Sequence, residues 1–163
     1  MREAFEAIPA IVEHGYVLVR NQRDRRITGI VTASDLSLQF QALAEPFLLL
    51  REIELHVRQL LGNNLDSEDY ALLDTIPPPK RQAKAQDINE LTLGQYIRLL
   101  QHPQVWKKLN LKIDAAALTN LLDDVRMIRN DVMHFDPDPM TREQLDTLKQ
   151  AVRFLQSLYE LLP

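Results

Sequence analysis

Cysteine is absent from the 163 residues, which removes disulfides, thiolate nucleophiles and every cysteine-ligated zinc site at once. Glycine is scarce at four. No Gly-rich phosphate loop, no Gly-x-Ser-x-Gly elbow and no His-x-x-Glu metal pair is present. No apolar run reaches 18 residues, and the opening MREAFEAIPAIVEHG carries charges where a signal peptide needs an apolar core. The expectation is a cytoplasmic protein without a membrane partner. Positive charge is not in excess either: 19 Lys and Arg face 23 Asp and Glu, a formal net charge of −4. That argues against a general polyanion binder, because affinity for nucleic acid comes mainly from neutralised phosphates, but it leaves room for a local basic patch.

What remains is an apolar share of 45% with 26% charged residues, enough for one ordinary globular domain, or one small domain plus part of another. Nine prolines, with Pro77, Pro78 and Pro79 consecutive, are expected at element ends and in loops.

The organising stretch is Leu118 to Phe135, LTNLLDDVRMIRNDVMHF. Leu118, Leu121, Leu122, Val125, Ile128, Val132 and Phe135 recur at steps of three and four, the signature of a helix with one buried face. Asp123, Arg126, Asn130 and His134 form a polar stripe opposite. Arg129 falls at the margin of the apolar stripe, where a guanidinium needs a carboxylate partner. Glu54, inside the apolar stripe of another helix, is the obvious one, the plainer reading being that its carboxylate only snorkels toward solvent.

In chain order, residues 2 to 13 have helical spacing and stop at His14-Gly15. Tyr16 to Arg20 reads as a fully buried strand, Asn21 to Asp24 as a turn, and Arg26 to Thr32 as a second strand pairing with the first. Ser34 or Asp35 can cap a helix to about Leu43. Glu45-Pro46 then reads as a fresh helix start, with Phe47, Leu50, Ile53, Val57, Leu60 and Leu61 as its stripe, ending at Gly62. A short helix is expected over 66 to 74, and a mobile loop over Thr75 to Gln86. Thr92-Leu93-Gly94-Gln95 and Thr141-Arg142-Glu143-Gln144 fit capping boxes. The first opens a helix to about Gln101, followed by another turn over Val105 to Leu109 with Trp106 as a core anchor. The second opens a final helix striped by Leu145, Leu148, Val152, Leu155, Tyr159 and Leu162. The fold class is mainly α: a four- to five-helix bundle over 44–163, preceded by a small α/β segment over 1–43.

Two resemblances attach to these segments. Gly29-Ile30-Val31-Thr32-Ala33-Ser34-Asp35, closing a helix-strand-strand-helix order, resembles the C-terminal part of a CBS (cystathionine-β-synthase) motif. That likeness implies an adenosine nucleotide, AMP or ATP, as a regulatory ligand, with Gly29 admitting it closely and Thr32 and Asp35 contacting its phosphate and ribose. The plainer reading of Thr32 and Asp35 is a helix N-cap and its neighbour. The likeness covers about 30 residues. It lacks the opening strand and the second motif with which such segments pair, so a longer protein or another chain would complete the fold.

The bundle and its Arg129-Asn130-Asp131-Val132-Met133-His134 segment resemble a HEPN domain with an R-x4-H motif. That likeness implies a metal-independent endoribonuclease acting as a homodimer, with no cofactor required. Arg129 would stabilise charge on the phosphoryl oxygens and His134 would act as acid or base, while Asn130 would orient the imidazole or hold phosphate. Lys80, Arg81 and Lys84 are candidates for RNA phosphates; the plainer reading is a solvated loop. A toxin with an antitoxin-like protein partner is a variant of this reading. The alternative is a non-catalytic regulatory or dimerisation module that binds adenosine nucleotide or a protein partner.

Overall fold

A computed structural model describes residues 2–75, 88–133 and 140–160, with the side chains of residues 2–5, 74, 75 and 160 left aside. The described chain is mainly helical, with one two-stranded antiparallel sheet. It divides into two compact units, Met1–Glu45 and Pro46–Pro163.

The first unit contains α1 (Arg2–His14), β1 (Tyr16–Arg20), β2 (Ile27–Thr32) and the opening turns of α2 (Ala33–Gly62). Gly15 ends α1: its N–H donates to the Ile11 carbonyl at 2.8 Å and its φ of 84° is one that side chains resist. The hairpin turn is held by side chains suited to it. Asn21 Oδ1 accepts from the Arg23 N–H at 2.8 Å, and Asp24 Oδ1 accepts from the Arg26 N–H at 3.1 Å. Tyr16 faces Thr32, Val17 faces Val31 and Leu18 faces Ile30 across the ladder.

The strand expected to be fully buried is instead largely exposed, with Tyr16, Leu18, Val19, Ile27 and Ile30 all open to solvent. The run Tyr-Val-Leu-Val has the composition of a buried strand, but a two-stranded ribbon carries one layer at most on each face. Val17 and Val31 share a face and are partly covered, whereas Tyr16, Leu18 and Ile30, on the other, are not.

Two prolines expected at element ends lie inside helices, Pro9 in α1 and Pro46 in α2. The break expected near Leu43 is therefore absent, and α2 runs 30 residues without interruption. A proline removes one N–H from the ladder and crowds the carbonyl four residues back, a cost of about 3 kcal/mol. Pro46 is itself buried, and burial of Leu50, Ile53, Val57, Leu60 and Leu61 in the turns after it offsets that cost.

The second unit adds α3 (Ser67–Ala71), α4 (Leu93–Gln101), α5 (Pro103–Leu109), α6 (Ala115–Met133) and α7 (Arg142–Glu160). One apolar core joins the α2 stripe to Tyr96, Leu99 and Leu100 of α4, Val105 of α5, Leu118, Leu122 and Val125 of α6, and Leu148 and Leu155 of α7. Trp106 packs against this core only partly buried. Two local devices fix helices to it. The Tyr96 hydroxyl donates to the Ile88 carbonyl at 2.8 Å and accepts from Arg58 Nε at 3.1 Å. Lys108 Nζ bridges Asp66 and Asp69 at 2.8 and 2.5 Å, tying the capping box of α3 to α5. These contacts hold the Lys108 ammonium well above its usual range.

Candidate functional site

The buried register of α6, Leu118, Leu122, Val125 and Ile128, forces Arg126, Arg129 and Asn130 to its half-buried flank. Arg129 finds the partner its position demands. Its Nε donates to Glu54 Oε1 at 2.7 Å, with the two side chains 36% and 26% exposed. One turn earlier Arg126 Nε donates to Asp123 Oδ1 at 2.9 Å. In each case the bond engages Nε, and the side chain stays partly exposed, at 40% for Arg126 and 36% for Arg129.

α4 supplies the opposite wall. Thr92 and Gln95 form a reciprocal capping box: the Thr92 N–H donates to Gln95 Oε1 at 2.8 Å and the Gln95 N–H donates to Thr92 Oγ1 at 3.4 Å. That box fixes the start of α4, and Arg98 follows one turn beyond Gln95 on the same side. Gly94 lies close to α6, with a Cβ there standing 3.6 Å from Arg126 Cδ. Thr92 to Gln95, Arg98, Arg126, Arg129 and Asn130 line an open cleft of about 220 Å³. Arg98 has no carboxylate partner among the described residues. A larger depression of about 490 Å³ along α7, lined by Asp146, Lys149, Gln150, Arg153, Phe154 and Ser157, is one face of a single helix. Among the described residues it brings no second element to bear on a ligand.

Of the residues singled out in the sequence, the structure brings together Arg129, Asn130 and Glu54. His134 and the basic trio Lys80, Arg81 and Lys84 lie outside the described residues. Arg98 was missed. Its only signal was a cation set in Ile97-Arg98-Leu99-Leu100, within a capped and otherwise buried helix.

Gly29, Thr32 and Asp35 belong to the first unit. There the plainer reading is realised, with Thr32 rather than Ser34 or Asp35 as the cap of α2. The Thr32 N–H and hydroxyl donate to Asp35 Oδ2 at 2.8 and 2.7 Å, and the Asp35 N–H donates to Thr32 Oγ1 at 3.3 Å. These bonds lower the Asp35 pKa from its ordinary value, the Thr32 hydroxyl more than the Thr32 amide. A ligand that engages both side chains has to open this box. A Cβ at Gly29 would stand at ordinary contact distance, 3.9 Å, from Val19 Cβ.

Among the described residues no group of three His, Asp or Glu side chains assembles as metal ligands, and no helix is long and apolar enough to cross a membrane. No family model, curated protein or solved structure matches this chain.

The cleft's chemistry is that of an anion site. Among the described residues, three guanidinium groups line it and two carboxylates, Glu54 and Asp123, pair with two of them, which leaves one net positive charge. At about 220 Å³ it falls below the ~300–1,000 Å³ of pockets that enclose a whole small molecule. It suits a charged group on something larger.

Proposed function

We propose that this protein binds single-stranded RNA and cleaves it without a metal ion, in the manner of the HEPN domains that its R-x4-H segment resembles. One observation carries the reading: Arg129, tethered at Nε by Glu54, lines a polar cleft together with Asn130. A guanidinium so held loses little freedom when it meets a phosphoryl oxygen, which is the condition for stabilising charge that develops during reaction.

In this reading an imidazole takes the proton from a ribose 2′-hydroxyl and the 2′-oxygen bonds to phosphorus. The 5′-oxygen departs and takes a proton from a second acid. The products are a 2′,3′-cyclic phosphate and a 5′-hydroxyl. His134 is the candidate for the proton transfers, because imidazole titrates near neutral pH. One His per chain is too few for both, so a homodimer that supplies two belongs to the proposal. Phe47, Leu48 and Leu55, exposed on α2 in the second unit, offer apolar surface for such a partner. The first unit, by its CBS likeness, would take an adenosine nucleotide and bias the dimer.

The second reading is a regulatory module without catalysis. The open face of the β1–β2 ribbon, Tyr16, Leu18 and Ile30, favours it, since such a face suits a protein partner, an antitoxin-like chain included. The deciding experiment incubates wild type and His134→Ala with mixed RNA in the presence of a chelator. Cleavage by wild type, ending in cyclic phosphate and lost in the variant, supports the enzyme. No cleavage of any RNA by wild type leaves the regulatory reading.

A further inference from the structure

The Glu54 tether explains why one arginine is held at the cleft. It does not explain why two more, from two helices, line the same 220 Å³. Arg126 comes from α6, one turn before Asn130, and Arg98 from α4. Three guanidiniums brought together repel one another unless something negative compensates them. Asp123 answers Arg126 and Glu54 answers Arg129. Nothing among the described residues answers Arg98, which is half-buried in the cleft wall rather than free in solvent. A half-buried cation with no counter-charge among the described residues, beside two others paired through Nε, is a place prepared for an external anion.

The size of the cleft narrows the anion. It is open and too small to enclose a nucleotide, so it suits the backbone phosphates of a strand that runs along its mouth with its sugars and bases outside. The anion's shape also fits. A phosphodiester presents two non-bridging oxygens, and the planar fork of an arginine matches such a pair. Along an RNA strand the next phosphate lies within reach of a neighbouring cation, so a row of arginines can hold consecutive phosphates.

We infer that Arg98 and Arg126 form a phosphodiester subsite beside Arg129, gripping the RNA backbone at the phosphate adjacent to the one that Arg129 addresses. This rests on the RNA reading for the identity of the polymer, but it concerns binding and not cleavage. The two therefore fail separately.

The test uses the full chain and a single-stranded 2′-O-methyl oligonucleotide, which has no free 2′-hydroxyl and is not cut. Binding is followed by fluorescence anisotropy across a salt series. Arg98→Gln and Arg126→Gln are each expected to weaken binding by about tenfold and to reduce the slope of log affinity against log salt by about one. Arg153→Gln, which removes the same charge from the exposed side of α7, is expected to leave both unchanged. Inorganic phosphate is expected to compete with the wild type and to lose that competition in Arg98→Gln. Circular dichroism confirms that each variant is folded.

Wild-type binding that Arg98→Gln and Arg126→Gln leave unaltered overturns the subsite, as does a wild type that binds no oligonucleotide. An equal loss in Arg153→Gln overturns it too, since the effect is then net charge alone. If the subsite variants lose binding while wild type cuts no RNA, the subsite stands and the nuclease reading falls. If they bind and cut like wild type, the reverse holds.

Discussion

Arg129 on α6 donates to Glu54 on α2 at 2.7 Å, across 75 residues of sequence, from the margin of one buried stripe to the margin of another. Both side chains are partly exposed, so the pair contributes less than the ~3–5 kcal/mol lost when a fully buried pair is broken. Glu54→Ala is expected to cost about 1–2 kcal/mol, a fall in Tm of a few degrees. The double variant with Arg129→Ala should be less damaged than the two single losses combined, because the second change removes the stranded partner of the first. Additive losses in chemical denaturation would show that the bond is not coupled in solution.

That pair was legible from helical counting alone, because both residues interrupt apolar stripes whose periods are strong. The core of the second unit was legible for the same reason: Leu118, Leu122 and Val125 on α6, and Leu148 and Leu155 on α7, are buried where a period of 3.6 puts them. Burial of β1 was misread because composition reports what a strand could pack against, not whether a second layer is there. The uninterrupted α2 was misread at Pro46, where local propensity favours a start and tertiary burial overrides it. Arg98 was not legible as a site residue, since its meaning depends on α4 and α6 lying side by side.

Tyr96 is fully buried, and its hydroxyl is the shared partner of the Ile88 carbonyl and Arg58 Nε. Tyr96→Phe keeps the ring and removes both bonds, leaving an acceptor and a charged donor short. A loss of about 1–3 kcal/mol is expected from urea unfolding, with no change in m-value. A neutral result would mean that water replaces the hydroxyl.

The Thr32–Asp35 box gives the start of α2 a defined pH response. Asp35 has a lowered pKa when folded, so its contribution is fully present above the unfolded value near 3.9 and disappears as pH falls through the folded value below it. Hydrogen exchange at the first-turn amides of α2 should be faster in Asp35→Asn than in wild type at pH 6. Protection should be lost in wild type only under more acidic conditions, where the two proteins converge. A difference that persists unchanged at pH 2 would trace to the amide's shape and not to the carboxylate charge. The same box sets an expectation for ligands: AMP or ATP bound through Thr32 and Asp35 has to open it, so Asp35→Ala should abolish any calorimetric signal for the nucleotide.

Arg129 and His134 should separate stability from chemistry in opposite ways. Arg129→Lys keeps the positive charge but loses the planar fork and the Nε bond that aims it at the cleft. It is expected to lower Tm modestly and, if the proposed nuclease reading holds, to cut RNA cleavage steeply, with kcat falling more than KM rises, because that reading has Arg129 contact developing charge. His134→Ala should reduce activity by at least ~10²-fold, the scale of a lost general acid or base, and leave Tm within about a degree of wild type. Because the proposed mechanism needs both histidines of a dimer, mixing Arg129→Lys with an excess of His134→Ala, which leaves one His134 per mixed dimer, should restore no activity. Light scattering should show the dimer unchanged in both variants. A His134→Ala protein as destabilised as Glu54→Ala, with wild type inert on every RNA, would make His134 a structural residue and the bundle a regulatory module.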